Sequence, residues 1–548
     1  VMQGRPAELN LGKHFRQVSA RNEEAARCFN MGLNQTYGFN HEDAIRWFLK
    51  ALEADNQLGI AHWGISNAYD WNYNNPEGFD RQTASIHAKK AFELIEFAND
   101  AEKAIINALQ TKFVDDMKSE EAGIKNVAPR VVEAMRKVYQ QFPDDSDVAA
   151  LFSETLMNLR PWQLWKEDEN GEILKTTWEA KDVLESSLKK FPEHPGLLHM
   201  YIHLMELSPN PLAAVVAANT LETVCPEQGH MIHMPSHIYM WQGDYLRAIK
   251  CNEDAIIADK KYVELSGVEK EFYKMYRLHN VHFCCWAAMY DGQYKKALDT
   301  ARAMQDELTE EYLNSEPGVD ILEGFNCIVF HVFIRFGKWN EILNEPIPED
   351  KRLYAMTQTT AYYARGLAYA ALGKIEEAEE EKEKFLNSLD NPVMEKRLMI
   401  NNFAYRGDEG IFHVAREMLF GEVEYRKGNF EKAYSYLREA VKRCDSLTYD
   451  EPWGWMVPPR HALAALLLEQ NHIDESIQVY NDDLKTYKNN LWSLRGLLVC
   501  LQKSSACPNE IKKIEEKLKE VSKRADFDPT ASCFCAVSAG AVPPKCCK

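Results

Sequence analysis

Along most of the chain apolar residues return every three or four positions with polar residues on the opposite face, while the strict alternation of a half-buried strand is never sustained. The pattern predicts helices throughout. One phrase recurs within it: a small residue, an aromatic, a glycine, then a pair of alanines. In "FNMGLNQTYGFNHEDAIRWFLKALEADN" it supplies Gly32, Ala44, Phe48 and Ala51. Small residues let two helices approach closely and the aromatic fills the gap to the next pair, so each copy predicts a helical hairpin. Further copies carry Ser236, Tyr239, Gly243, Ala248 and Ala255, then Gly292 and Ala297, then Gly366, Tyr369, Gly373 and Ala378, then Gly421, Gly428, Ala433 and Ala440. Weaker versions cover 461–484 and 492–502.

The phasing is that of the tetratricopeptide repeat, and the expected fold is all-α: a right-handed α-superhelix, or α-solenoid, with irregular insertions. Good copies are unevenly spaced, and polar, turn-rich stretches at 165–177, 344–352 and 404–410 are the expected insertions. The expected division is an N-terminal extension over 1–23, a continuous superhelix over 24–525 with a concave interior, and a cysteine-containing tail over 526–548, where helical periodicity is lost.

Composition narrows the function classes. The 548 residues are 45% apolar and 27% charged, with no run of about eighteen apolar residues to cross a bilayer. A formal charge of −19 opposes nucleic acid phosphates and anionic membrane surfaces, so neither partner is expected. The thirteen cysteines are odd in number and scattered, which fits a reducing, cytoplasmic compartment. The pairs Cys533/Cys535 and Cys546/Cys547 offer thiolates to copper or zinc, but their place in the tail makes them bystanders.

Histidine is where the chain departs from what packing requires. Half of the sixteen histidines fall between 194 and 282. In "HMYIHLMEL", His199, His203 and Glu206 stand at i, i+4 and i+7, one stripe of a helix, a spacing that offers two imidazoles and a carboxylate to one metal ion. In "GHMIHMPSHIYMWQGDY", His230, His233 and His237 stand at i, i+3 and i+7, but Pro235 requires that the helix either start near Ile232 or kink at the proline, re-aiming His230 and His233 relative to His237. His279 and His282 begin the next repeat and are candidates for the same site. Glu154, Glu206 and Asp70 are candidate carboxylates, Glu154 and Glu206 as further ligand or general base. Arg160 and Arg460 can grip an anionic substrate group, with Trp162 and His461 as further substrate contacts. A histidine on a helix is ordinarily a packed side chain, and Met231, Met234 and Met240 ordinarily fill a core, although thioether also suits Cu(I). No phosphate loop, nucleophile elbow or HExxH box is present.

The phrases "FNHEDAIRWFLKALEADNQLGIAHWGIS", "ETLMNLRPWQLW", "HPGLLHMYIHLMELSPNP", "GHMIHMPSHIYMWQGDY" and "YDEPWGWMVPPRHALAALLLE" together resemble a family of tetratricopeptide-repeat proteins with a GHxxHMPxHIY motif. Its members are mostly bacterial, and tetratricopeptide repeat protein 38 is similar at a greater distance. The resemblance maps His199, His203, His230, His233, Met234, Pro235 and His237, and also Glu154, Trp162, Glu451, Pro452, Arg460 and His461. It implies a fold and no particular activity.

These readings converge on a metal-binding repeat protein with a polyhistidine centre on the concave face. The expected cofactor is a transition metal, copper, zinc or iron. As an enzyme it would do oxidative chemistry on copper or iron, slightly favoured, or hydrolysis on zinc. The alternative is a non-enzymatic scaffold that binds a small molecule or peptide in the groove, and a third is a buried histidine hydrogen-bond network without metal.

Overall fold

Phe48 shows how the repeat phrase becomes structure. Its ring is fully buried, and a Cβ on Gly32 or on Gly64 would lie 2.7 or 2.6 Å from it, so only glycine admits the aromatic from both sides. Gly32 belongs to the Glu23–Tyr37 helix, Phe48 to its hairpin partner His41–Ala54, and Gly64 to the next helix, Gly59–Tyr69. One side chain thus joins two repeats. The same lock recurs where Gly421 receives Leu437 and Gly496 receives Tyr480.

The computed structural model describes residues 8–76, 78–113, 120–269, 271–315, 318–504, 506–526 and 529–536. Cys546 and Cys547 lie outside the described residues. The fold class is the expected all-α tetratricopeptide-repeat solenoid with irregular insertions: helical hairpins dominate, and the described strands are the two-residue pair Leu398–Met399 and Asn402–Phe403. That pair falls beside the expected insertion at 404–410. None of the described helices is long and apolar enough to cross a membrane.

The chain divides into two compact units, and the division falls within helices rather than at a linker. The first holds residues 1–239 and 251–277. Its hairpins include Ser146–Met157 with Lys175–Lys190 and Pro195–Glu206 with Val215–Val224. Residues 8–22 have no helix of their own and run to Asn22, whose side chain caps the first helix at Ala25 N–H. Pro235 breaks the histidine motif in two: one helix spans Gly229–His233, Met234 is a turn, and Pro235 opens a second helix to Gln242 as its first residue.

The second unit holds 240–250 and 278–548, with hairpins such as Ala355–Ala371 with Ile375–Leu389 and Ile411–Arg426 with Phe430–Asp445. Gly373 closes the first of these in the left-handed region at φ +76°, which lets Lys374 N–H reach back to the Tyr369 carbonyl at 2.9 Å. The C-terminal segment is seated rather than loose over its described part: Ser532 Oγ donates to the His461 carbonyl at 2.7 Å, and Phe534 lies against Gly337. Cys533 and Cys535 are joined as a disulfide, so the thiolates expected there are not available as ligands.

Candidate metal centre

The Pro195–Glu206 helix starts with His194 as cap, its Nδ1 accepting Leu197 N–H at 3.2 Å, and Pro195 in the first turn where its missing donor costs nothing. All twelve residues are buried. Gly196 lets the helix close on Tyr37, because a Cβ there would lie 2.6 Å from the tyrosine ring. Tyr37 is the last residue of its own helix, so its carbonyl lacks an intrahelical donor. His199 supplies one: its Nδ1 stands 2.6 Å from that oxygen.

The Gly229–His233 and Pro235–Gln242 helices bring the other three imidazoles. His230 Nε2 lies 3.1 Å from His199 Nε2, and His237 Nε2 lies 2.6 Å from His233 Nε2. His233 Nδ1 lies 2.7 Å from Asn252 Oδ1. Glu206 bridges the two helices with its carboxylate, Oε1 at 2.7 Å from His203 Nδ1 and Oε2 at 2.6 Å from His237 Nδ1, the second contact lying off the line of a hydrogen bond. Ring centroids link the set: His199 to His203 at 4.7 Å, His230 to His233 at 5.8 Å, His203 to His237 at 6.1 Å. The structure therefore brings His199, His203, His230, His233 and His237 into one buried cluster.

What each Nδ1 meets decides what each Nε2 can do. A carbonyl, an amide oxygen and a carboxylate all accept, so the Nδ1 atoms of His199, His203 and His233 carry the hydrogen and their Nε2 atoms keep the lone pair. This is the arrangement of metal-ligating histidine, in which an outer acceptor fixes the tautomer. Burial, and after it His203, hold His199 well below the usual histidine range, which keeps its lone pair unprotonated. His199, His203 and His230 each offer one nitrogen within 4.8 Å of the others. Two nitrogens on a tetrahedral ion at about 2.0–2.1 Å stand roughly 3.3 Å apart, close to the His199–His230 separation.

A second trio, His14, Asp147 and His194, has ligand-like distances and the opposite logic. His194 Nδ1 is an acceptor, so its Nε2 carries the hydrogen and donates to Asp147 Oδ1 at 3.1 Å. Arg16 already neutralises the other oxygen at 3.1 Å. Burial alone would raise the Asp147 carboxyl; the hydrogen bonds from His14 and His194 outweigh it and hold the group well below the usual range. This trio is an anchor.

Aromatic rings that the sequence did not single out wall the cluster. Phe39 packs on His199 at 4.5 Å and stacks with His230 at 5.5 Å, and Tyr276 meets His230 at 4.8 Å. Trp162, singled out as a substrate contact, lies half-buried 6.3 Å from His203, with Tyr73 stacked beside it. Phe39 and Trp162 both hold left-handed backbone, at φ +55° and +61°, which bulky side chains rarely adopt. The available signal for Phe39 was its place in the "GFN" hairpin turn, where a small residue is the ordinary choice.

The other expected site residues are placed as follows. Glu154 is half-buried, its carboxyl raised by burial against the opposing pull of Lys112 and Tyr73 N–H. Asp70 is paired with Arg81 at 3.0 Å and Lys112 at 3.4 Å. Arg160 donates to the Lys166 carbonyl at 2.7 Å. His279, His282, Arg460 and His461 belong to the second unit. There His279 lies against Phe283 and His282 is buried with its Nε2 3.4 Å from Met456 Sδ. Arg460 forms a two-pronged ion pair with Asp445, both contacts at 2.6 Å. His461 is fully buried between Arg335 at 2.7 Å and Asp483 at 2.9 Å, both ring nitrogens engaged.

The family profile described as tetratricopeptide repeat matches residues 359–387, within the Ala355–Ala371 and Ile375–Leu389 hairpin. No curated protein matches the sequence. Similar solved structures include the human IFIT1 dimer with m7Gppp-AAAA, 11% identical over 92% of this chain and 96% of that one, with a TM-score of 0.34. The APC/C hetero-tetramer Cut9-Hcn1 is 12% identical over 91% and 88%, with a TM-score of 0.30. Yeast Tom70 is 12% identical over 90% and 93%, with a TM-score of 0.28.

Proposed function

We propose that this tetratricopeptide-repeat chain is a metal-binding protein whose centre is built from His199, His203, His230, His233 and His237. The observation that carries the reading is the outer set of acceptors: Tyr37 O, Asn252 Oδ1 and Glu206 Oε1 stand 2.6–2.7 Å from the Nδ1 atoms of His199, His233 and His203. With their Nδ1 hydrogens held outward, His199 and His233 turn Nε2 lone pairs toward His230 and His237, an arrangement that suits a cation. Glu206 is then an orienting group rather than a ligand or base. The resemblance to the GHxxHMPxHIY family points to the same residues.

Imidazole ligands suit zinc, copper or iron, and the ion supplies Lewis-acid or redox chemistry accordingly. For an enzymatic role Glu154 is the carboxylate we propose as acid or base, since Tyr73 joins it by its N–H and places its own ring 5.1 Å from His203. A small molecule or peptide would approach past Trp162, the half-buried ring on that side.

The test is the metal content of the purified full-length protein beside its His233→Ala variant. Stoichiometric zinc, copper or iron that falls at least severalfold in the variant is the expected result, and the metal found selects the reaction class. Less than a trace of any transition metal, with no uptake on addition and unchanged behaviour of His233→Ala, would sink the reading. Lost stability without metal would instead mark a buried hydrogen-bond network.

A further inference from the structure

Residues 8–22 precede the first helix and have no part in the metal reading, yet they touch residues at the starts of both helices that carry the His199–His230 pair: Glu227 ahead of one and the cap His194 of the other, whose ring lies 4.2 Å from that of His14. At one end Asn10 exchanges two hydrogen bonds with Glu227: its N–H donates to Oε2 at 2.7 Å and its carbonyl accepts from Glu227 N–H at 3.1 Å. Glu227 stands just ahead of Gln228 and Gly229, where the His230 helix begins. Gly12 follows in the left-handed region at φ +97°, so close to the chain that any Cβ would lie 2.2 Å from the Val224 carbonyl oxygen.

The same segment then reaches Asp147, on the Ser146–Met157 helix. His14 Nε2 and Arg16 Nη1 meet Asp147 at 2.8 and 3.1 Å. Asp147 Oδ1 also accepts the Tyr37 hydroxyl at 2.6 Å and His194 Nε2 at 3.1 Å. His194 caps the helix that carries His199, and the Tyr37 carbonyl backs His199 Nδ1. One short stretch is therefore fastened to the start of each ligand helix, and to the residue that sets the His199 tautomer.

We infer that residues 10–16 are a brace for the metal site: they fix the separation of His199 from His230, with Asp147 and Tyr37 as positioning residues that touch no metal. The inference rests on the metal reading above. A metal site is sensitive to such supports because its ligands must meet one ion at set distances, and loss of an outer partner typically weakens binding about 10–100-fold.

The test is a Co(II) titration of metal-stripped full-length protein, read by visible absorption, in wild type, Gly12→Val and Tyr37→Phe. Gly12→Val has no room beside Val224, whereas Tyr37→Phe removes one hydroxyl and keeps the ring packing. Both should bind Co(II) at least tenfold more weakly with shifted bands. A Gly64→Ala variant, destabilised elsewhere in the same unit, should keep the wild-type bands. Wild-type affinity and bands in both brace variants would overturn the inference and leave the metal reading standing. Bands shifted equally by Gly64→Ala would also overturn it, as general loosening. A wild type that takes up no Co(II) would overturn both.

Discussion

The two nitrogens of an imidazole are not independent, and the candidate centre is built on that fact. Asn252, buried 19 positions after His233, accepts from its Nδ1 and so leaves Nε2 to face His237. Replacing Asn252 by alanine frees the tautomer, and Glu206→Gln removes the carboxylate charge that faces His203 and His237. Each substitution should weaken zinc binding about 10–100-fold in a chelator-competition titration, with the helical circular dichroism preserved. Equal zinc affinity in both variants would mean that the acceptors serve packing and not a ligand set. Arg335, His461 and Asp483 make the contrast: there both imidazole nitrogens are engaged, which leaves no lone pair for an ion.

At the level of helices the repeat phrase carries a stability prediction. Gly64→Ala places a methyl 2.6 Å from the Phe48 ring, and overpacking of this kind costs about 1–3 kcal/mol, so a shortfall of that size is expected in denaturant unfolding. Phe48→Leu on the Gly64→Ala background should recover part of it. Pro235→Ala is expected to act differently: it restores a backbone donor at the break, can join the two helices through Met234, and would turn His230 and His233 away from His237. Stability should change by under ~1 kcal/mol while zinc affinity falls.

Such spacing rules were readable along the chain because Gly32, Ala44 and Phe48 act within one hairpin. The histidine stripes were readable for the same reason. The Tyr37 carbonyl was not, since it lies 162 positions from His199 and is backbone, where residue identity gives no signal. Nor was Glu206's role: its spacing from His199 and His203 suits a ligand, and only the meeting with the His237 helix reveals an orienting group. The support from residues 10–16 was hidden too, because polar coil before a first helix carries no periodicity.

For the whole molecule, neutral buried histidines set the acid limit. Burial lowers His41 and His331 to about 4 and His282 to about 3, so residues in both units resist protonation while folded. In the unfolded chain each titrates near its ordinary value of about 6.5. Between pH 6.5 and 4 the unfolded state therefore binds protons that the folded state refuses, and stability falls as pH falls, by about 1.4 kcal/mol per pH unit for each such group. Three groups acting together would remove a large share of a typical 5–15 kcal/mol across that window. Denaturant midpoints of metal-free protein should accordingly drop from pH 7.5 to 6 to 5, most steeply in the last interval. His41 isolates the effect, because it is 3% exposed and neither ring nitrogen has a hydrogen-bond partner among the described residues. His41→Leu forfeits no internal hydrogen bond there, so it should unfold at a similar denaturant concentration at pH 7.5 and at a higher one than wild type at pH 5. Parallel pH profiles for the two proteins would place the acid sensitivity elsewhere, with the carboxylates whose pairing is lost below about pH 4.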